Sequence, residues 1–296
     1  MSSANSKGTV VITGASGGIG AVYADRFAKR GYDLLLIARD GKRLGGVAGK
    51  LSSQYGVKVE TLVADLTDRS ALLGLEAKLQ ADKNVSILVN NAGSGGTKSL
   101  VDSDVDDLEN MILLNVTALT RLTAAVLPNL IAKNAGAVIN VSSVVAVNPD
   151  ALNGSYSGSK AYVLNFTQSL FKTLKDTGVQ VQAVLPGATR TDFWDRAGLP
   201  VNNLPEKNVM SAEDCVDAAL VAFDEKELVT IPALPDVEVW NRYEQSRLAR
   251  YPFLSSKDAA SRYTAKACLQ VKTATRAEAV PVPHPEVADD FRLVDI

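Results

Sequence analysis

A tyrosine and a lysine stand four residues apart in this chain, at Tyr156 and Lys160. On a helix, side chains with this spacing share a face, so the ammonium group can stabilise the phenolate. A free tyrosine ionises near pH ~10, and a neighbouring positive charge lowers that pKa toward the physiological range. The pair therefore predicts a group that donates and accepts a proton near neutral pH. Taken alone, the same spacing also fits an ordinary helix start with an exposed lysine.

The amino-terminal segment has the pattern of a dinucleotide-binding unit. A short buried strand, 9–13, is followed by a glycine-rich turn and by a helix over 21–29. Gly14 permits the tight turn, Gly18 lets the backbone approach a pyrophosphate, and Gly20 lets the helix pack on the strand. The free N–H groups at the start of the helix favour an anion. This order of elements predicts a bound dinucleotide rather than a plain glycine loop.

The second strand, 33–38, ends in Arg39 and Asp40. An acidic residue at this end would accept a hydrogen bond from the ribose 2′-OH of NAD, whereas a guanidinium can bind the 2′-phosphate of NADP. Arg39 favours NADP(H). The alternative is that Arg39 is solvated and Asp40 binds the ribose. Position 17 is glycine, so the turn itself adds no second basic group.

Together with further motifs, these residues resemble the short-chain dehydrogenase/reductase family, from about Thr9 to Ile231. The motifs are Thr13-Gly14-x-x-x-Gly18-x-Gly20, Asn90-Asn91-Ala92-Gly93, Asn115, Ser143, Tyr156, Lys160 and Pro186-Gly187-x-x-x-Thr191. They follow the family's order and spacing, and no catalytic position departs from it. The resemblance implies a Rossmann-like, doubly wound parallel α/β sheet.

The resemblance also implies a role for each residue of a catalytic set. Tyr156 would be the general acid that protonates a carbonyl oxygen, or the base in the reverse direction. Lys160 would bind the nicotinamide ribose and lower the pKa of Tyr156. Ser143 would donate to the substrate oxygen, although its neighbour Ser142 is not distinguished from it by the strand pattern. Asn115 would hold a water that links Lys160 to solvent; a buried asparagine satisfied by the backbone is the alternative.

Cofactor contacts follow from the motifs and the resemblance together. They are Gly14, Ser16, Gly18, Ile19, Gly20, Arg39, Asp65, Leu66, Asn91, Ala92, Gly93, Tyr156, Lys160, Pro186, Gly187, Thr189 and Thr191. Asp65 would accept from the adenine amino group, or else be a turn-forming residue. Asn91 and Gly93 would form a backbone passage beside the adenosine and steady the sheet. The segment that begins at Pro186 would face the carboxamide and the pyrophosphate.

The alternation of strands and helices over 296 residues predicts one dinucleotide-binding and catalytic domain, 1–231. A helical extension of the same domain is expected over 232–275, with helices at 237–248 and 257–269. Aromatic residues there are possible packing anchors: Trp240, Tyr243, Tyr251 and Phe253. The proline-rich stretch around Pro281 predicts an extended tail over 276–296, and the chain's one histidine, His284, lies in it.

Composition excludes several classes of function. A net charge of −2 argues against nucleic acid as the main partner. Cys215 and Cys268 form no metal-binding or disulfide pattern, so no metal is expected and the compartment is predicted to be reducing. The start of the chain has no apolar signal core, and the apolar helix expected over 111–132 contains Asn115, Arg121 and Pro128. We therefore expect a cytoplasmic protein without a membrane partner.

Two further expectations concern assembly and substrate. In the family, the long helix and the Tyr156 helix form a dimer interface, so a homodimer or homotetramer is expected. The segment 192–210 is expected to be a mobile lid over an apolar mouth. That mouth would consist of Phe193, Trp194, Leu199, Pro200, Leu204, Val144, Val145, Val147 and Pro149. It predicts a hydrophobic ketone or aldehyde; Arg190 and Arg196 leave open a carboxylate or a carrier thioester.

The predicted function is an NADP(H)-dependent oxidoreductase that moves hydride between nicotinamide and a carbonyl or alcohol. An NAD(H)-dependent alcohol dehydrogenase and a 3-oxoacyl thioester reductase of the same family are the alternatives, with a nucleotide-sensing regulator as the non-enzyme alternative. The glycine spacing argues against the epimerase and dehydratase branch. Asn153 stands where an enoyl reductase of this fold would have its tyrosine, and Ser143 has no histidine base for hydrolysis.

Overall fold

Seven parallel strands form one sheet in the computed structural model, which describes residues 6–149 and 152–263. The strands are β1 Thr9–Thr13, β2 Asp33–Ala38, β3 Val59–Val63, β4 Val85–Asn90, β5 Gly136–Val141, β6 Val179–Val184 and β7 Val229–Thr230. Their order is β3-β2-β1-β4-β5-β6-β7. The direction of progression reverses between β1 and β4, and a crevice at the carboxyl ends of such strands is where open α/β sheets bind ligands.

Helices cover both faces of the sheet. They are α1 Gly18–Lys29, α2 Gly41–Tyr55, α3 Arg69–Ala81, α4 Val105–Ile112, α5 Leu119–Lys133, α6 Gly154–Thr173, α7 Phe193–Arg196, α8 Ala212–Asp224 and α9 Val237–Ala249. Apolar residues of α1, α2 and α8 bury one sheet face, and those of α3, α5 and α6 bury the other. Because both faces are covered, the central strands are apolar throughout, as in β2, which is buried along its whole length.

A π-helical segment, Leu113–Ala118, connects α4 to α5 without a break in the helical path. The continuous stretch Val105–Lys133 is long and apolar enough to cross a membrane by length and composition, with a mean hydropathy of 1.5. In the fold, its residues Leu122, Val126 and Leu130 pack in the core beneath the sheet. The apolar character of this helix therefore fits a core position.

The strand predictions are confirmed, and so is the doubly wound parallel sheet. Two helix predictions need correction. The apolar helix expected over 111–132 begins earlier, at Val105, because Asp104 caps α4 by accepting from the N–H of Asp106. The helix predicted for 257–269 is wrong for its described part, where the chain forms only a 3₁₀ turn, Ser261–Tyr263. The remainder of that helix, Cys268 and the predicted tail lie outside the described residues.

The chain divides into two compact units, 1–233 and 234–295. In the second unit, α9 has no buried residue, and the rings of Trp240 and Tyr243 lie 5.2 Å apart between centroids. Tyr251 and Phe253 are 77% and 84% exposed, and their role as packing anchors on the core or on a partner subunit stays a prediction. The assignment of 232–275 as an extension of the first domain stays a prediction.

Candidate active site

The four predicted catalytic residues come from three neighbouring elements on one side of the sheet. Tyr156 and Lys160 lie in the first two turns of α6, Ser143 lies two residues after the end of β5, and Asn115 lies on the π-helical segment. Asn153 caps α6 by accepting from the N–H of Ser155. All four catalytic side chains are buried, with residue exposures of 6%, 5%, 9% and 2% in the order named.

The hydroxyl group of Ser143 interacts with that of Tyr156. Burial raises the pKa of Tyr156 to about 12, and the interaction with Ser143 opposes that rise. This differs from the expectation that Lys160 lowers the tyrosine pKa. Loss of hydration on burial is the main cause of the raised pKa. The phenol is thus held protonated, which is the form needed to donate a proton.

The Lys160 ammonium group donates a hydrogen bond to the backbone and lies beside the tyrosine ring. Its Nζ donates to the carbonyl oxygen of Val141 at 2.9 Å and lies 5.8 Å from the centroid of the Tyr156 ring. Burial lowers the pKa of Lys160 to about 8. The carbonyl contact leaves two of its three N–H donors available to other partners.

Ser142 and Ser143 have separate roles in the structure. The hydroxyl of Ser142 donates to the carbonyl oxygen of Lys160 at 2.7 Å and fixes β5 against α6. The hydroxyl of Ser143 interacts with that of Tyr156 and lies 3.4 Å from the carbonyl oxygen of Pro186. The strand pattern alone does not separate the two serines; the tertiary contacts do.

Asn115 holds the loop after β4 against α6. Its Nδ2 donates to the carbonyl oxygen of Ser94 at 2.8 Å and to Oγ of Ser159 at 3.0 Å, while its Oδ1 accepts from the N–H of Ser94. Both amide N–H donors are therefore used. A π-helical turn often marks a functional position, because it breaks the regular hydrogen-bond ladder. The contacts fit the backbone-satisfied alternative, and the water relay stays a prediction.

Two glycines after β4 leave room for the catalytic side chains. A Cβ on Gly93 would lie 3.2 Å from Oδ1 of Asn115 and 3.4 Å from Nζ of Lys160. A Cβ on Gly95 would lie 2.5 Å from Cζ of Phe193 and 3.2 Å from Cδ2 of Tyr156. Gly93 therefore lies beside both the lysine and the asparagine. Gly95 lets the Phe193 ring approach the catalytic tyrosine.

Apolar side chains surround the catalytic tyrosine. The cluster consists of Leu108, Met111, Val145, Leu152 and Phe193. The sequence prediction named Val145 and Phe193 but missed the other three, which come from α4 and from the loop before α6. Trp194, Leu199 and Leu204 were predicted to line the mouth; instead they are at least 92% buried. The indole N–H of Trp194 donates to the carbonyl oxygen of Thr189.

The glycine-rich turn has the geometry that a pyrophosphate requires. Gly14 and Gly18 adopt φ values of 67° and 53°, which disfavour any side chain with a Cβ. A Cβ on Gly20 would lie 2.4 Å from the carbonyl oxygen of Gly14, so this helix packs closely on the turn. The α1 amino terminus lies directly after the turn and has no side-chain cap. These residues fit a dinucleotide phosphate.

Hydrogen bonds hold β4 against the glycine-rich turn. Oγ1 of Thr13 accepts from the N–H groups of Asn91 and Ala92 at 3.0 and 2.9 Å. The Asn91 side chain donates to the carbonyl oxygens of Thr13 and Gly14. These contacts match the predicted structural role of Asn91. Ser16 and Ile19 stand in the same turn, and Ile19 packs on the core beneath it.

At the adenosine end, the predicted contacts are more exposed. The side chains of Arg39 and Asp65 are 67% and 44% exposed, with Nη1 and Oδ2 3.8 Å apart. Oδ1 of Asp65 accepts from the N–H and the hydroxyl of Thr67, which is the turn-forming alternative. Partial burial raises the pKa of Asp65, but the Thr67 bonds and Arg39 outweigh it, and the pKa is lowered. Leu66 is buried in the core beside them.

Asp40 has a structural role that the sequence left open. Its side chain caps α2 by accepting from the N–H of Arg43 at 2.9 Å. This contact uses one of the two oxygens of the carboxylate that the alternative assigns to the ribose. It also places the guanidinium of Arg43 over the glycine-rich turn, where a Cβ on Gly17 would lie 2.5 Å from Nη2. A second basic group therefore reaches the turn from α2, which the motif pattern did not reveal.

The segment after β6 completes the wall of the crevice. The hydroxyl of Thr189 donates to the carbonyl oxygen of Gly187 at 3.1 Å, and Thr189 pairs with Met210 in an isolated parallel bridge. The Thr191 methyl would lie 2.9 Å from a Cβ on Gly18, so this segment touches the glycine-rich turn. All predicted site residues thus lie along the carboxyl ends of the strands. Across 6–149 and 152–263, no cluster of three or more metal-ligating side chains occurs.

A family model described as short chain dehydrogenase matches residues 8–199, the part of the chain that forms this crevice. The chain belongs to the short-chain dehydrogenase/reductase family. It is therefore an oxidoreductase of that family, and the fold and the resemblance read from the sequence are both confirmed. The family match covers every predicted site residue.

Solved relatives extend the match nearly to the end of the described chain. A short-chain dehydrogenase from Sphingobium yanoikuyae in complex with NADPH is 47% identical, with a TM-score of 0.84, and the match covers 87% of this chain and all of that one. The bulky-bulky ketone specific alcohol dehydrogenase from Comamonas testosteroni is 40% identical, with a TM-score of 0.81, over 88% of this chain and 99% of that one.

Among curated proteins, the very-long-chain 3-oxoacyl-CoA reductase of Bos taurus is 36% identical over 213 residues, which are 68% of this chain and 66% of the relative. The corresponding protein of Anas platyrhynchos is also 36% identical, over 60% of this chain and 58% of the relative. The chain thus spans about two thirds or less of the length of these curated relatives.

Proposed function

We propose that this dehydrogenase/reductase is an NADPH-dependent carbonyl reductase that acts on hydrophobic ketones or aldehydes. The observation that carries the proposal is the meeting of Ser143, Tyr156 and Lys160 in one buried pocket beside the glycine-rich turn. A protonated phenol and a serine hydroxyl that already interact can hold one carbonyl oxygen between them.

Each side chain has a step that its contacts allow. Tyr156, held protonated by burial, donates its proton to the substrate oxygen, and Ser143 holds that oxygen by hydrogen bonding. Lys160 keeps two donors for the ribose of the cofactor, and its ammonium group lies 5.8 Å from the centroid of the Tyr156 ring. A bound nicotinamide dinucleotide would supply the hydride. The same residues catalyse the reverse reaction, alcohol oxidation, in which Tyr156 acts as the base.

NADP(H) is the proposed cofactor on two grounds. Arg39 stands exposed at the carboxyl end of β2, where the ribose 2′ position of a bound dinucleotide lies, and Asp40 is engaged as the α2 cap. The 47%-identical Sphingobium protein, matched over its whole length, binds NADPH. NAD(H) is the alternative, since the α2 cap uses one oxygen of the Asp40 carboxylate and leaves the other for a ribose hydroxyl.

The substrate proposal rests on the apolar cluster around Tyr156. Phe193 stacks against the tyrosine with 5.7 Å between centroids, and Leu108, Met111 and Val145 complete an apolar surround. A polar substrate would have no partners among these side chains apart from the catalytic hydroxyls. The similar Comamonas enzyme is described as a bulky-bulky ketone specific alcohol dehydrogenase. A ketone with two apolar substituents is therefore the first class to test.

A 3-oxoacyl thioester is the second candidate, favoured by the similarity to the Bos taurus reductase. Arg190 and Arg196, at the edge of the segment over the site, are exposed and could meet the phosphates of a carrier. Arg190 also contacts Oδ1 of Asn202 at 3.4 Å. Because the shared reaction is ketone reduction, only the substrate distinguishes the two candidates.

A substrate panel tests the proposal directly. Purified protein is given NADPH or NADH with aryl ketones, cyclic ketones, aldehydes and a long-chain 3-oxoacyl-CoA, and cofactor absorbance is followed. We expect turnover of the bulky ketones, with a kcat/KM at least about tenfold higher for NADPH than for NADH, since one charge-assisted contact is worth that much. Turnover confined to the acyl-CoA would favour the second candidate. No turnover on any carbonyl would reject both.

We also propose a homodimer or homotetramer. On α5 and α6, apolar side chains face outward, among them Ile131, Tyr162 and Phe171 with exposures of 44%, 38% and 50%. Tyr162 stacks on Phe166 and its hydroxyl bonds Oγ1 of Thr120, so the two helices present one ordered surface. Light scattering of the purified protein should give twice or four times the 31.3 kDa mass. The cytoplasm remains the predicted location.

A further inference from the structure

A second guanidinium reaches the dinucleotide site from outside the glycine motif. Arg43 lies in the first turn of α2, four residues after Arg39. Its backbone N–H is fixed by Asp40, and its Nη2 would lie 2.5 Å from a Cβ on Gly17. The guanidinium thus occupies the space that a side chain at position 17 would fill. Arg39 and Arg43 both belong to the β2–α2 junction, where a ribose 2′-phosphate binds in this architecture.

An acidic side chain of the segment over the active site holds this guanidinium. Nη2 of Arg43 lies 2.6 Å from Oδ2 of Asp192. Asp192 directly precedes α7, yet its carboxylate makes no capping hydrogen bond there, so the ion pair is its described contact. The preceding residue, Thr191, touches the glycine-rich turn at Gly18. Residues 191–192 therefore rest on the dinucleotide site.

The following residue connects this ion pair to the catalytic pocket. Phe193 is the first residue of α7, and its ring lies against Tyr156. The α7 turn closes through a hydrogen bond from the N–H of Ala197 to the carbonyl oxygen of Phe193. A short rigid turn thus runs from Asp192 to the aromatic wall of the substrate pocket. Movement of Asp192 would shift that wall.

We propose that the 2′-phosphate of NADPH competes with Asp192 for Arg43, so that binding of this phosphate releases α7 from the glycine-rich turn. A phosphate carries more charge than a carboxylate and accepts the two-pronged guanidinium contact equally well. The Arg43 and Asp192 side chains are 46% and 54% exposed, and an ion pair this exposed contributes little to stability. The exchange therefore has a low cost, and NAD, which lacks the phosphate, does not drive it.

This inference rests on the proposed preference for NADPH, but its test needs no turnover. The probes are 2′,5′-ADP, which has the 2′-phosphate, and 5′-ADP, which lacks it. Their affinities are measured by calorimetry, and amide hydrogen exchange is followed over 192–199. In the wild type, we expect 2′,5′-ADP to accelerate exchange in this segment severalfold and 5′-ADP to leave it unchanged.

Four variants separate the roles. Arg43→Gln should weaken 2′,5′-ADP about tenfold and leave 5′-ADP within twofold, as expected for one charge-assisted contact. Asp192→Asn should bind 2′,5′-ADP severalfold more tightly and exchange fast over 192–199 before any ligand is added. Lys42→Gln and Asp195→Asn are the matched controls, since each removes the same charge from a neighbouring exposed position. Both should behave as the wild type.

The outcomes separate this inference from the proposed function. If Arg43→Gln and Lys42→Gln bind 2′,5′-ADP equally, or if 2′,5′-ADP and 5′-ADP change exchange over 192–199 equally, the competition is rejected while NADPH dependence stands. If the wild type binds neither 2′,5′-ADP nor NADPH, the cofactor proposal fails and this inference fails with it. Tighter binding by Asp192→Asn, with unchanged 5′-ADP affinity, is the result that supports it.

Discussion

The two ends of the crevice differ in how their functional groups are held. At the catalytic end, Tyr156 and Lys160 are 6% and 5% exposed and are fixed by backbone and side-chain hydrogen bonds. At the adenosine end, the Arg39 and Arg43 side chains are 67% and 46% exposed and meet carboxylates in exposed ion pairs. Burial shifts the pKa values of the first pair strongly, whereas the exposed arginines act through charge that solvent screens.

The buried end is suited to catalysis, and the exposed end is suited to selection of the cofactor. A buried pair with fixed partners can define the position of one oxygen atom, because its rotamers are locked by packing. An exposed pair contributes little to stability and can exchange partners when a ligand arrives. Substitutions at the buried end should therefore change the rate of reaction, and substitutions at the exposed end should change which cofactor binds.

Removal of the phenol hydroxyl is expected to have the largest effect. Tyr156→Phe should lower kcat by about 10³-fold or more, since a positioned general acid contributes on that scale. The aromatic ring still fills its place against Phe193, so NADPH should bind with unchanged affinity. Single-turnover kinetics and fluorescence titration with NADPH measure the two quantities. Retained turnover would show that Tyr156 is not the proton donor.

Removal of the second hydroxyl is expected to have the next largest effect. Ser143→Ala should lower kcat by about 10²-fold, as for the loss of one donor to a developing charge. Ser142→Ala is the matched control, because its hydroxyl bonds the backbone of Lys160 and does not face the tyrosine. Its kcat should fall far less, with a lower melting temperature. Equal losses of kcat in both variants would contradict the assignment.

The buried Lys160 ammonium should make the free energy of unfolding depend on pH. Burial lowers the pKa of Lys160 from 10.5 to about 8, so between pH 8 and 9 the unfolded chain binds more protons than the folded one. The free energy of unfolding should then rise with pH, and the unfolding constant should fall by up to about tenfold per pH unit from this group. Denaturant titrations at both pH values measure the slope.

Lys160→Met supplies the comparison for that measurement, because methionine fills a similar volume without a charge. The variant should lose the rise between pH 8 and 9 and should be more stable than expected for a lost hydrogen bond to Val141. A slope that is the same in both proteins would mean that this ammonium is hydrated in the folded state.

At the exposed end, Arg39→Ala is expected to weaken NADPH about tenfold, which corresponds to one charge-assisted contact at a solvated site. NADH affinity should change by less than about twofold, because that cofactor offers no phosphate to Arg39. Fluorescence titrations with both cofactors give the ratio. Equal losses of affinity for NADPH and NADH would point to Asp40 as the ribose partner. They would contradict a role of the exposed end in cofactor selectivity.

Much of the fold could be read from the sequence because local patterns specify it. The strands β1 and β2 are short apolar runs bounded by glycine and charged residues, and their bounds were predicted without error. The glycine spacing specified the turn, since glycine adopts the positive φ of Gly14 and Gly18 more readily than any other residue. The helix predicted after Lys257 failed for its described part, where apolar spacing without packing partners was the only signal.

By itself, the sequence determined the alternation of elements, the phosphate-binding turn and the spacing that places a phenol beside an ammonium, because each depends on residues close in the chain. Only the tertiary structure decided which serine faces Tyr156, that burial raises the pKa of this tyrosine, and that Arg43 reaches Gly17 and meets Asp192. Those outcomes depend on contacts between residues far apart in sequence and on the water that packing excludes, and neither leaves a local pattern.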